Sequence, residues 1–182
     1  MNTDTSQAVL AVDLDGTLIH GDLTLLSAWQ LLCGNPLYLA LLPFWLLRGR
    51  ALFKRRIAQR VEIEPASLRY SSSVLDYVQR QYESGVYTVL ASGSDAGLVQ
   101  PIADHLGCFA QVLASDGATN RTGPRKQELL SQYFSATGYD YIGNSSVDIP
   151  VWDGAKGVLV ARPSKRFTRQ LQARFEVVHV FE

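Results

Sequence analysis

Two cysteines and three histidines are all that this 182-residue chain has of the side chains that bind soft metals or form cross-links. Cys33 and Cys108 stand far apart and in no ligand-like spacing, which excludes a disulfide framework and fits a reducing compartment with both thiols packed as small apolar groups. His20, His105 and His179 show no metal-ligand spacing either and read as structural. Excess charge of one sign is also missing. Seventeen basic side chains cancel seventeen acidic ones, so no overall positive field exists to draw in a nucleic acid. The segment Met1 to Gln7 lacks the basic and apolar regions of an export signal, so the expected location is the cytoplasm. Internal repeats and low-complexity linkers are absent. The most apolar stretch, Leu37 to Leu47, would rise about 1.5 Å per residue as a helix and falls well short of the roughly 30 Å hydrocarbon core of a bilayer.

What is present is a hydrophobic content of 47%, enough for one substantial core. Short runs rich in Val, Ile and Leu alternate with helical patterns, the arrangement of a parallel sheet covered by helices on both faces. Strands are predicted over Ala8 to Val12, Tyr87 to Ala91, Gln111 to Ala114, Tyr139 to Ile142, Gly157 to Ala161 and Val177 to Phe181. A helix over Ser72 to Ser84 places Val74, Leu75, Val78 and Tyr82 at helical spacing and stops at Gly85; another over Asp95 to Leu106 stops at Gly107. The segment from His20 to Tyr70 has no convincing strand and reads as three short helices, broken at Gly34-Asn35-Pro36 and near Gly49. The predicted architecture is therefore α/β, a Rossmann-like parallel sheet formed by residues 1–19 and 71–182, with residues 20–70 inserted after the first strand as a small helical cap. A cap at that point would cover the C-terminal sheet edge, where open α/β folds bind ligands, and would exclude water from it.

The residues suited to chemistry fall at the ends of predicted strands and the starts of helices. Val9 to Val12 leads directly into Asp13-Leu14-Asp15-Gly16-Thr17, two carboxylates on a turn that Gly16 permits. Phosphoryl transfer to a carboxylate needs a nucleophile, a divalent cation and a proton donor for the leaving group. Asp13 suits attack on phosphorus and Asp15 suits general acid and then general base, since two close carboxylates push each other's pKa values apart. Val89-Leu90-Ala91 repeats the layout with Ser92-Gly93-Ser94, a hydroxyl and an amide free of side-chain obstruction for phosphate oxygens. Lys126, two residues after Pro124 at a helix start, opposes the helix dipole, and such a local violation is where function is suspected. Each segment also has a plain structural reading: a turn leaving a buried strand, a capping serine, a solvated lysine, and at Ser145 to Asp148 a helix capping box.

Taken in order, these segments resemble the signatures of the haloacid dehalogenase-like (HAD) superfamily. The fourth resembling segment is Tyr141-Ile142-Gly143-Asn144-Ser145-Ser146-Val147-Asp148, which departs from the family pattern in having Asn144 where an acid usually follows the glycine. The resemblance implies an Asp13 nucleophile, an Asp15 acid/base, and phosphate binding by Thr17, Ser92, Gly93 and Lys126. It further implies Mg2+ as cofactor, held by Asp13, Asp15, Asn144 and Asp148, the amide of Asn144 supplying an oxygen but no charge. The implied activity is a Mg2+-dependent phosphomonoesterase acting through an aspartyl-phosphate on a phosphorylated small molecule. A phosphomutase and, from another class, a weakly active or non-catalytic module that binds a phospho-ligand remain open alternatives.

In the insert, Leu37 to Leu47 has no polar face, and Arg48, Arg50, Lys54, Arg55 and Arg56 follow at once. Basic residues beside an apolar wedge suit an interfacial helix near anionic headgroups, while a cap core with a solvated basic face is the structural alternative. Asn35-Pro36-Leu37, the leucine-rich run, Trp45-Leu46-Leu47-Arg48-Gly49-Arg50 and Pro150-Val151-Trp152 resemble the N-terminal HAD-like domain of bacterial membrane prenyltransferases related to 4-hydroxybenzoate polyprenyltransferase. That resemblance implies a phosphorylated prenyl or sugar substrate and contact with the cytoplasmic face of a membrane or with a membrane enzyme.

Overall fold

A computed structural model describes residues 7–182 of the chain. Most of the segment on which the absence of an export signal was read, Met1 to Ser6, lies outside the described residues. Six parallel strands form one sheet: β1 (Val9–Val12), β2 (Tyr87–Asp95), β3 (Gln111–Ser115), β4 (Asp140–Gly143), β5 (Gly157–Ala161) and β6 (Val177–Phe181). Their spatial order is β3-β2-β1-β4-β5-β6. The chain thus builds outward from β1 in one direction and then crosses back to build outward in the other. That reversal opens a crevice past the carboxyl ends of β1 and β4, the place where such sheets bind ligands.

All four residues of β1 are buried, as expected of a strand covered on both faces. Alternation along the strands divides the core in two. Leu10, Val12, Leu90, Ile142 and Leu159 face one way, against α4 (Ser72–Glu83) and α5 (Ala96–Leu106), which contribute Val74, Val78, Val99 and Ile102. Val9, Ala11, Val89, Tyr141, Val158 and Val160 face the other way, toward Leu130 of α6 (Pro124–Tyr133), Val151 and Trp152 of α7 (Ile149–Asp153) and Leu171 of α8 (Lys165–Gln172).

Between β1 and α4 the chain forms α1 (Leu23–Gly34), α2 (Tyr38–Leu47) and α3 (Arg50–Ala58). Leu31, Trp45 and Ile57 are the buried centre of this layer. One buried residue of the ten in α2 leaves most of that helix uncovered, and Pro43 in its interior removes a donor from the ladder. Among the described residues no helix is long and apolar enough to cross a membrane.

Element ends differ from expectation where polar groups finish a strand. The predicted end of the second strand at Ala91 is too early: β2 continues to Asp95, whose pairing with Ser115 follows a register shift after Ser92. Asp95 then caps α5 by accepting the Gly97 amide at 2.9 Å, so the helix begins one residue later than predicted. Hydrophobic periodicity could not find this extension because Ser92 to Asp95 carries no apolar side chain, though all four residues are buried.

Trp152 ties α7 to the sheet. It is 1% exposed, its ring meets Tyr141 edge-on, and its indole N–H donates to the Tyr141 carbonyl at 3.2 Å. Trp152→Ala is expected to lower unfolding free energy by about 3–5 kcal/mol. Urea denaturation measures it, and a loss below about 1 kcal/mol would show that the site can collapse around the cavity.

Candidate active site

Asp13 leaves β1 into the crevice, its amide donating to the Ile142 carbonyl at 2.9 Å, so the β1–β4 pairing sets where its side chain starts. The carboxylate is buried and held from two sides. Lys126 Nζ lies 2.6 Å from Oδ1, and Thr17 Oγ1 donates to Oδ2 at 3.0 Å. Lys126 stands in the first turn of α6, behind Gly123 with φ +53° and Pro124. Its ammonium also donates to the Tyr141 hydroxyl at 3.0 Å, and that hydroxyl donates to Asp148 Oδ1 at 2.7 Å. Asp148 Oδ2 accepts the amides of Asn144 and Ser145 and the Ser145 hydroxyl, completing the capping box read from the sequence. Gly143 makes this turn possible, because a Cβ there would stand 2.8 Å from both Asp148 Cγ and the Tyr141 ring.

Asp15 faces the same cavity from the other side. Its Oδ1 accepts the Leu23 amide at the start of α1 at 2.6 Å, and its Oδ2 accepts Ser94 Oγ at 2.8 Å and Ser92 Oγ at 3.3 Å. Ser92 Oγ also accepts the Ser94 amide at 3.0 Å. The two hydroxyls assigned to phosphate are therefore turned elsewhere: Thr17 grips Asp13 and Ser92 grips Asp15, and neither lines the cavity. Gly93 does line it, and a Cβ there would meet Thr122 Cγ2 at 2.3 Å. The cavity measures about 210 Å³ and brings together Asp13, Asp15, Gly93, Lys126, Asn144 and Asp148 of the residues singled out by sequence.

Burial raises the Asp13 carboxyl to about 7; Lys126 opposes the shift, while Asp148 and Asp15 add to it. Burial also raises Asp15, against the pull of the Leu23 amide and Ser94. Burial works against the Lys126 charge, but Asp13 and Asp148 outweigh it, so the ammonium holds its proton more tightly than usual. Tyr141 is raised well above its ordinary value by burial and by the adjacent carboxylates, which keeps it a hydrogen-bond donor.

Among the described residues, no three His, Cys, Asp or Glu side chains are grouped closely enough to hold a metal ion by themselves. Mg2+ rarely requires such a cage: it takes one or two carboxylates and keeps waters and phosphate oxygens for the rest. The side chains around the cavity that can ligate a metal, Asn144 and the aspartates, offer oxygens, and four carboxylates, Asp13, Asp15, Asp22 and Asp148, face two ammoniums, Lys54 and Lys126. That surplus of negative charge fits a hard divalent cation. Asp148 Oδ2 is taken up by the Asn144 and Ser145 amides, while Oδ1 accepts one donor, the Tyr141 hydroxyl, and keeps a lone pair.

Three functional placements escaped the sequence. Lys54 and Arg55, read as part of a basic strip beside an apolar wedge, instead turn onto the sheet edge: Lys54 donates to the Gly93 carbonyl at 2.5 Å and Asn120 Oδ1 at 3.1 Å, and Arg55 pairs with Asp95 at 3.0 Å. Arg162 follows β5 directly and has φ +46°, the one non-glycine with positive φ among the described residues. Its guanidinium donates to the carbonyls of Gly16, Thr17 and Ile19 and so braces the turn that carries Asp15. Nothing in the local sequence marks Arg162; its strained backbone is visible only in the structure.

No protein-family model matches the chain. Over 164 residues, 90% of the chain, it is 31% identical to uncharacterized protein y4nM of Sinorhizobium fredii (strain NBRC 101917 / NGR234), and it spans 31% of that relative's length. A solved structure of HAD family hydrolase t0658 from Salmonella enterica subsp. enterica serovar Typhi superposes with a TM-score of 0.65 at 14% identity, covering 96% of this chain and 67% of that one. Apo phosphoserine phosphatase superposes with a TM-score of 0.64 at 13% identity, covering 97% and 94%. The fold is thus the α/β Rossmann-like fold of the HAD hydrolases, as the sequence reading expected.

Protons and a divalent cation would compete for Asp13. With its folded-state pKa above the ordinary 3.8, the contribution of Asp13 to stability is complete below that value and is lost as pH rises through about 7. Asp15 is shifted in the same direction. A cation that contacts ionised Asp13 offsets the loss, so Mg2+ should raise the thermal midpoint more at pH 8 than at pH 5.5, and Asp13→Asn should remove the difference. Equal shifts at the two pH values in the unmodified protein would place the cation away from Asp13.

Proposed function

We propose that this chain is a Mg2+-dependent phosphomonoesterase that acts on a phosphorylated small molecule through an aspartyl-phosphate on Asp13. The observation that carries this reading is the pair of carboxylates on one cavity in two different environments. Burial raises both, but Asp13 is paired with a buried ammonium while Asp15 is held by neutral donors alone. Asp13 attacks phosphorus as the bond to the leaving oxygen breaks, and Asp15 gives its proton to that oxygen. Asp15 then takes a proton from the water that attacks the aspartyl-phosphate, which returns Asp13 as a carboxylate and releases phosphate. Lys126 neutralises Asp13 and the phosphoryl oxygens, and the Gly93 amide approaches them without a side chain in the way. Asp13, the Asp15 main chain and Asn144 would hold Mg2+, with Asp148 orienting Asn144. Bound there, the cation supplies charge stabilisation to the phosphoryl group as its negative charge redistributes. Phosphoserine phosphatase, with which the fold is shared, has been captured as a phospho-aspartyl intermediate analogue, which supports the same chemistry here.

Phosphate release from an aryl phosphate should require Mg2+ and fall by about 10³-fold or more in Asp13→Asn, as for loss of a covalent nucleophile. Hydrolysis by that variant at the unmodified rate would sink the mechanism. Release of no phosphate by a folded, Mg2+-replete protein would favour a very selective enzyme or the non-catalytic phospho-ligand module.

A second reading, contact with the cytoplasmic face of a membrane, is favoured by the surface of α1 and α2. Leu25, Trp29, Leu37, Leu39 and Leu47 are 67–86% exposed. Residues 23–61 contain no Asp or Glu, and Arg48, Arg50, Arg56 and Arg60 are exposed beside this apolar surface. Apolar side chains edged by cations match anionic headgroups over an acyl boundary, and a phosphorylated prenyl or sugar intermediate would be met there. Flotation with phosphatidylserine vesicles should carry the protein upward, and Leu39→Gln with Leu47→Gln should abolish it. Equal flotation of the two proteins would remove the membrane role of this surface.

A further inference from the structure

The proposed chemistry uses Asp13, Asp15 and Lys126 and leaves a second cation in the same cavity without a task. Lys54 comes from α3, outside the sheet, and its side chain lines the cavity beside Asp15, Asp22 and Gly93. Its ammonium donates to two neutral acceptors, the Gly93 carbonyl at 2.5 Å and Asn120 Oδ1 at 3.1 Å. Among the described residues no carboxylate lies within 4.0 Å of it, although four acids share the cavity wall, Asp15 and Asp22 acting on it most. All four are already engaged: Asp13 by Lys126 and Thr17, Asp148 by Tyr141 and the Asn144 turn, Asp15 by Leu23, Ser94 and Ser92, and Asp22 by the Leu25 amide it caps. A half-buried ammonium with only neutral contacts has given up part of its hydration without gaining an ion pair. Burial accordingly lowers its proton affinity, with Asp15 and Asp22 pulling the other way.

The position of Lys54 is fixed by its neighbour in sequence. Arg55 pairs with Asp95, which is 1% exposed, and its stem lies over Gly117, where a Cβ would approach Arg55 Cγ at 2.9 Å. Asp95 also caps α5. Arg55 therefore fastens α3 to the end of β2, and the adjacent Lys54 is delivered above Gly93. Lys126 already serves the Asp13 side of the cavity, so Lys54, which comes from the α1–α3 layer, is the cation left for the rest of a ligand.

On the reading of this cavity as a phosphate-ester site, we infer that Lys54 is its specificity-determining residue and selects esters whose alcohol portion carries a second anionic group, a carboxylate or another phosphate. The incoming anion displaces the Gly93 carbonyl and the Asn120 amide from the ammonium and forms the missing charge-assisted contact.

Calorimetric titration of the Mg2+-replete full chain with phosphonoacetate and with methylphosphonate tests this, because both are inert to hydrolysis and phosphonoacetate adds a carboxylate to the same phosphonate. The unmodified protein should bind phosphonoacetate about tenfold or more tightly than methylphosphonate. Lys54→Gln should erase that preference while leaving methylphosphonate affinity within about twofold, and Lys54→Arg should keep most of it. A preference that survives in Lys54→Gln overturns the inference, as does the failure of the unmodified protein to bind phosphonoacetate. Equal weakening of both ligands overturns it as well, assigning Lys54 to the phosphoryl group or to the seating of α3. A protein that hydrolyses no ester yet shows the Lys54-dependent preference refutes the proposed catalysis and supports this inference.

Discussion

The contact between Lys126 and Asp13 is the constraint around which the crevice is arranged. A buried carboxylate and a buried ammonium are each unfavourable alone, and each is tolerated because the other stands 2.6 Å away. The pair does not balance the site, since Asp15 and Asp148 face the same ammonium. The protein manages the surplus with donors: Tyr141 for Asp148, Thr17 for Asp13, and Ser92, Ser94 and the Leu23 amide for Asp15. These donors are short side chains, one rigid aromatic and one main-chain amide, drawn from β2, β4, the turn after β1 and the start of α1. The polar density of the site is thus bought by the sheet edge, where backbone and short side chains are already turning.

That arrangement explains why glycine recurs around the crevice. Gly143 lets Tyr141 and Asp148 close on the Asn144 turn, and Gly93 lets Thr122 approach β2. Bulk at either point would force apart groups whose hydrogen bonds satisfy buried charge. Arg162 provides the complementary brace from β5, accepting an unfavourable backbone conformation in order to hold three carbonyls of the Asp15 turn. The α1–α3 layer adds a different kind of support. Its interior is a small cluster of Leu31, Trp45 and Ile57, and α3 reaches the sheet through polar contacts while much of α2 remains uncovered.

Much of this fold was legible in sequence because buried parallel strands are short, apolar and sharply bounded. The spans predicted for β5 and β6 match the structure, and the three helices before α4 are interrupted at Gly34-Asn35-Pro36 and Gly49 as their breakers indicated. The end of β2 was not legible, since Ser92 to Asp95 is buried by polar contacts and carries no hydrophobic period. The candidate site was legible as residue types. The sequence put carboxylates, hydroxyls, a glycine and a lysine at strand ends, but could not say which hydroxyl faces a ligand and which restrains a carboxylate.

By itself, then, the sequence determined the α/β alternation, the two-sided burial of its strands and the kinds of chemical group at their ends, because these depend on neighbours two to four positions away. Tertiary structure alone decided that Thr17 and Ser92 turn toward carboxylates, that Lys54 leaves the basic strip for the cavity, and that Arg162 braces the Asp15 turn. Those contacts join residues separated by 77 positions for Ser92 and Asp15, 39 for Lys54 and Gly93, and 146 for Arg162 and Gly16. Their partners are chosen by the strand order and by the need to satisfy buried charge, and neither is encoded in any local pattern.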